Sequence, residues 1–131
     1  YIQMVHGLPL EMVEKLGPSA LEAQYTIIQP YEPVYGIYVS DIGVADIVLS
    51  QAVAMHKYHT YINSIARRAK KHSIEIVRPS GDTIRAIRRE LADIVSKNLR
   101  VEDINILHAT KISYDGRETT IILFMFTVSY R

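Results

Sequence analysis

Cysteine is absent from the 131-residue chain. That excludes disulfide bridges, zinc–thiolate centres and cysteine nucleophiles. It is compatible with a reducing compartment, and a cytoplasmic location is the expectation. The chain also lacks glycine patterns of the Walker or dinucleotide type. Its Ser, His and Asp residues form no nucleophile context such as G-x-S-x-G. The longest nearly uncharged run, residues 121–130, is too short to cross a bilayer as a helix, so no membrane span is expected. There are no internal repeats or low-complexity tracts. No residue is therefore assigned a catalytic, cofactor-binding or metal-ligating role, and a non-enzymatic protein is the preferred expectation.

What is present suits one folded domain. Hydrophobic residues make up 48% of the chain, enough at this length to build a core without metal or cross-links. The net charge of +1 conceals a strong asymmetry. Residues 1–56 carry Lys15 against six acids, whereas residues 57–100 carry eleven Lys and Arg against four acids. The basic segment comprises Arg67, Arg68, Lys70, Lys71, Arg78, Arg85, Arg88 and Arg89. Such a patch attracts nucleic acid or another phosphate-bearing ligand. It can equally pair with Glu11, Glu14, Glu22 or Glu32 of the acidic N-terminal third, within or between subunits, and this is the preferred reading.

The most regular stretch is residues 74–97, which reads as a short strand, a turn at Pro79-Ser80-Gly81 and an amphipathic helix. Ile84, Ile87, Leu91, Ile94 and Val95 share one helical stripe, while Arg85, Arg88, Arg89 and Lys97 lie off it. Ser80 and Asp82 are N-cap candidates and Asn98 is a stop signal. The turn precedes free helix amides, yet Asp82 places negative charge where a phosphate would sit, so a structural turn is the better reading.

Around that unit, residues 1–17 read as an extended arm followed by a helical turn, and residues 24–29 as a strand. Residues 34–40 form the next strand, followed by a helix from Ser40 or Asp41 to about Tyr58. The span after Thr60 has two readings. Ile62, Ile65, Ala66 and Ala69 extend the helix, or residues 60–66 start a strand and the basic run 67–72 is a hairpin tip. The hairpin is preferred. Residues 104–113 and 119–129 form a terminal hairpin around Asp115-Gly116, because glycine supplies the positive φ such a turn needs. The last strand is apolar on both faces, implying cover on both sides. One cover is the core, and the other is expected to be a neighbouring subunit meeting Phe124, Phe126 and Val128. His56 and His59 lie three apart without further ligands in sequence, and read as ordinary histidines. The nine tyrosines fit strand packing or interfaces.

With the hairpin reading, residues 34–110 give the order βαββαβ, a ferredoxin-like α/β (α+β) domain at 34–131 with an N-terminal arm at 1–33 and a C-terminal β-hairpin extension. In this span the chain resembles bacterial microcompartment shell proteins. The resemblance rests on Gly36-Ile37 and Gly43, on Ala52, Ala54-Met55 and Lys57, and on a strand leading to Gly81-Asp82. It implies a non-enzymatic, self-assembling homo-oligomer. The three arginines on the second helix and the basic run in place of a pore loop depart from that pattern. The hairpin at Asp115-Gly116-Arg117 resembles instead that of Alba-type nucleic-acid-binding proteins, a fit that requires the long helix. It implies a dimer that binds DNA or RNA. A small-ligand enzyme with its site between subunits is the third expectation.

Overall fold

The structure, a computed structural model, describes residues 30–131. The arm, helical turn and strand expected within residues 1–29, with Glu11, Glu14 and Glu22, lie outside the described residues. The described elements are strands β1 (Val34–Val39) and β2 (Gly43–Val48), helix α1 (Gln51–Arg68), strand β3 (His72–Ile76), helix α2 (Gly81–Ile94), and strands β4 (Leu99–Tyr114) and β5 (Arg117–Tyr130). The five strands make one antiparallel sheet in the order β2-β1-β5-β4-β3. This is an α+β fold, but its order is ββαβαββ rather than the expected βαββαβ.

Two differences from expectation produce that change. Residues 43–48, expected at the start of a helix, form β2 instead. The chain reverses just before them, with Ile42 N donating to Val39 O at 3.0 Å and Gly43 at φ +92°. A side chain at Gly43 would be strained by that backbone and would also meet the Glu90 carboxylate. The disputed residues 60–68 are helical, not a hairpin. Ala54, Tyr58 and Ile62 follow one another at four-residue intervals and are all buried, so one helix face seals the sheet without a break. Ser50 caps α1 by accepting from Val53 N at 3.2 Å, and Ser80 caps α2 by accepting from Thr83 N at 3.2 Å. α2 ends at Ile94, short of the expected stop at Asn98.

Alternating residues of β5 point to opposite faces, and each face has its own helix. Ile121 and Leu123 join Ile37, Val39, Ala54, Tyr58 and Ile62 in the cluster under α1. Ile122, Phe124, Phe126 and Val128 join Val34, Ile87 and Leu91 in the cluster under α2. The result is three layers, helix–sheet–helix. Cover on both faces of β5 is as expected, but the second cover comes from this chain's own helix. Phe124, Phe126 and Val128 are therefore core residues of the single chain, not subunit contacts: each is fully buried.

The hairpin between β4 and β5 turns at Asp115 and Gly116, with φ +48° and +79°. Positive φ at both positions matches the right-handed twist of the flanking strands. β4 bulges twice against β5, between Val101 and Ile104 and between Ile106 and His108.

Candidate functional site

The eight basic residues of the sequence reading fall into separate groups, because the helices that carry most of them lie on opposite faces of the sheet. Arg85, Arg88 and Arg89 sit on α2 and are exposed. Arg85 is ion-paired with Asp82. Arg88 reaches back to β4, where its Nη1 donates to Val101 O at 3.1 Å. Two of the three arginines are thus engaged within the chain. Arg78 stands apart, beside a cleft of about 310 Å³ lined by Ile76, Pro79, Ile84, Ile106 and His108.

Arg67, Arg68, Lys70 and Lys71 come together at the other end of the sheet, where α1 stops and β3 begins. Part of this has a local cause: cations in the last turn of a helix face its partly negative carbonyl end. The connector is then tied to the terminal hairpin. Asp115 N donates to Lys71 O at 3.3 Å, and Lys71 N donates to Asp115 Oδ1 at 3.4 Å. This junction brings Arg117 and His72 beside the lysines, although 44 positions separate Lys71 from Asp115. An open cleft of about 820 Å³ runs between them, lined by Lys70, Lys71, His72, Tyr114, Arg117 and Glu118. A smaller cleft of about 290 Å³ adjoins it and adds Arg68 and Ile65 while sharing Tyr114, Asp115 and Arg117.

The acids at this end are already engaged. Asp115 takes the Lys71 amide, and Glu118 pairs with Lys111 at 3.4 Å. Lys111 also meets Glu75 at 3.3 Å, and these two carboxylates, Glu75 foremost, raise its pKa above the usual lysine value. The rim thus presents Arg68, Lys70, Lys71 and Arg117 toward solvent with an aromatic ring, Tyr114, in their midst. Arg117, His72 and Tyr114 were not among the candidate site residues of the sequence, although Arg117 belongs to the hairpin and His72 to the basic run named there. The only signal was the position of Arg117 directly after the Asp115-Gly116 turn, since pairing of β3 with β4 is not legible from spacing.

Elsewhere, polar groups inside the fold serve packing. Tyr58 OH and Thr110 Oγ1 are hydrogen-bonded between α1 and β4. Burial pushes the Tyr58 phenol up, with the Thr110 bond acting against the shift. A phenol held more firmly protonated is poorly suited to act as a base at neutral pH. Lys57 Nζ lies 3.0 Å from the buried Asp46 carboxylate of β2. His56 and His59 are exposed on α1, and among the described residues no group of three His, Asp or Glu side chains is placed to hold a metal. No protein-family model, no curated protein and no solved structure matches this chain.

Proposed function

We propose that the protein is a non-enzymatic binder of nucleic acid, which it grips by its phosphates at the junction of α1, β3 and the terminal hairpin. The observation that carries this reading is the convergence of Arg68, Lys70, Lys71 and Arg117 around Tyr114 along an open cleft. Lysine and arginine neutralise phosphates and release counterions, and an aromatic ring among them offers a base a stacking surface. The open shape suits a polymer lying across it better than a small molecule enclosed within it. The hairpin at Asp115-Gly116 fits the Alba-type resemblance, but that resemblance also needed one long helix from about residue 41 to about residue 71, and here β2 and the shorter α1 occupy that span. The shell-type resemblance depended on a hairpin at 60–72, which is helix and connector here.

The test is the salt dependence of binding to duplex and single-stranded oligonucleotides. Each phosphate contact contributes a slope of about 0.9 in log affinity against log salt for duplex, and about 0.7 for a single strand. Changing Lys70, Lys71 and Arg117 to Gln should flatten that slope by about two to three contacts. The same change at Arg85, Arg88 and Arg89, on the opposite face, should leave it nearly unchanged. Absence of binding at low salt, or a slope altered only by the α2 triple, would refute the reading.

A further inference from the structure

β3 is the one strand of the sheet whose five residues are all exposed. It closes the sheet on one side, and among the described residues nothing pairs with its outer edge. Its ladder to β4 is bracketed by Asp115 N to Lys71 O and by Val77 N to Ala109 O. In an antiparallel ladder the residues turned toward the partner alternate with those turned away. Odd-numbered residues of β3 therefore address β4, while His72, Ile74 and Ile76 direct their N–H and C=O groups outward. The side chains of Ile74 and Ile76 project on the α1 face, beside Ile112 and Thr110. They are 51% and 87% exposed.

The other edges left unpaired among the described residues are blunted. β2 has a bulge at Ala45, carries the charged Asp46 turned under α1, and gives its Val44 N to Glu90 of α2 at 3.0 Å. The upper half of β4, beyond the reach of β3, carries both bulges and has its Val101 carbonyl capped by Arg88. Bulges, inward charges and capping groups are the devices that stop a sheet edge from adding another strand. β3 has no bulge and no proline, and shows two bare isoleucines.

We infer that β3 pairs with the β3 of a second copy, antiparallel about a two-fold axis at Ile74, so that the two described five-stranded sheets run on as one across a homodimer. The strand is complementary to itself in this register. Ile74 meets Ile74 of the second copy, His72 meets its Ile76, and Ser73 meets its Glu75, where the hydroxyl can donate to the carboxylate. All three outward-facing residues of each strand exchange both backbone bonds. A shift by two residues one way sets Glu75 against Glu75, and the other way leaves Ile76 outside the β3 pairing. The ladder ends where Lys70 of one copy would face Arg78 of the other, and growth stops at two copies because the two-fold pairing uses the β3 edge of each. The inference does not rest on nucleic-acid binding, and it is tested without nucleic acid.

The absence of cysteine makes the test direct. In this register the two Ile74 Cα atoms lie about 5.5 Å apart, within the range that a disulfide spans. The two Ile76 Cα atoms are separated by four strand residues, about 13 Å, which a disulfide cannot bridge. Under mild oxidation the Ile74→Cys protein should form a covalent dimer, and the Ile76→Cys protein should do so at a rate lower by an order of magnitude. Sedimentation of the unmodified protein at high micromolar concentration should give twice the 14.9 kDa chain mass. The double change Ile74→Lys with Ile76→Lys should give the single mass with unchanged circular dichroism. A monomeric wild type would overturn the inference, including a monomer whose Ile74 amide resists exchange because residues 1–29 of the same chain occupy the edge. So would a dimer that survives the double lysine change, or equal cross-linking at both positions.

Discussion

Two strands of the sheet are built from the same kind of residue and have opposite surroundings. β5 contributes Ile121 and Ile122, which are inaccessible, while β3, two places across the sheet, contributes Ile74 and Ile76 to the surface. The difference lies in what covers them. β5 is sandwiched between α1 and α2, with β1 and β4 on its flanks. Among the described residues β3 pairs with β4 alone, and its apolar side chains are exposed. An isoleucine in β5 is therefore part of the interior, whereas one in β3 is exposed among the described residues. Residue type does not distinguish the two, but position in the strand order does.

The sharpest way to break that comparison is to shorten a side chain at each place. Phe124→Ala empties space under α2 and should cost about 3–5 kcal/mol, read from the urea midpoint. Ile76→Ala, measured in dilute solution, should stay within about 0.5 kcal/mol of wild type. Equal losses at the two sites would mean that β3 is as embedded as β5. A charge at the centre acts more severely: Phe126→Asp should abolish cooperative unfolding rather than release a folded monomer, since the carboxylate would be buried without a partner.

Next in size is the fit between β1 and β5. Gly36 pairs with Phe124, and a Cβ at Gly36 would come within 2.8 Å of Phe124 Cε2. Gly36→Ala should therefore cost about 1–3 kcal/mol by overpacking. Combined with Phe124→Leu, which withdraws the ring, the loss should be smaller than the sum of the two single changes. Additive losses would show that the ring is free to move aside. Smaller again are the caps. Ser50→Ala and Ser80→Ala each remove a first-turn acceptor, at about 1 kcal/mol apiece, and Asp at either position should restore most of it. In dilute solution no such change at β3 should move thermal stability, because among the described residues no helix depends on that strand for cover.

The elements that were legible in the sequence are those whose signals are local. Strand β1, the Ser80 cap, the α2 stripe from Ile87 to Leu91 and the Asp115-Gly116 hairpin each depend on residues a few positions apart. β2 was misread because Ala45, Val48, Leu49 and Ala52 happen to repeat at helical spacing, and only the turn at Gly43 separates strand from helix. The span after Thr60 was misread because its β-branched and aromatic residues favour a strand locally. Burying Ile62 and Tyr58 on one face overrides that preference. The basic residues were legible as a segment but not as a surface. Whether they form one patch depends on the faces to which α1 and α2 go, and the sequence places α1 and α2 next to each other in order without saying that the sheet lies between them. Arg117 joins Lys70 and Lys71 only through the β3–β4 pairing, a contact between distant segments that no period reveals.

The smallest expected effect separates the two ends of β4 by their charges. At one end Lys111 links Glu75 of β3 to Glu118 of β5, and these carboxylates raise its pKa. At the other end the Ser129 hydroxyl first, and then the Arg100 guanidinium, hold the Glu102 carboxyl below its usual value. A raised lysine stabilises the fold fully below its unfolded value of about 10.4, and loses that contribution as pH climbs through the higher folded value. A lowered glutamate contributes fully above its unfolded value of about 4.3, and loses it as pH falls through the lower folded one. Glu102→Gln should therefore flatten the acid limb of the stability curve and leave the alkaline limb intact. Lys111→Met should do the reverse. Both groups are near solvent, so the shifts will be small, and amide exchange is the better readout. Lys111→Met should speed exchange at the Ser73 and Glu75 amides, which face β4, because it releases the side-chain tie that holds β3 to the sheet. Glu102→Gln should leave those two amides unchanged. Equal acceleration by both variants would mean that β3 opens together with the rest of β4, and the edge strand would then be no separate unit of the fold.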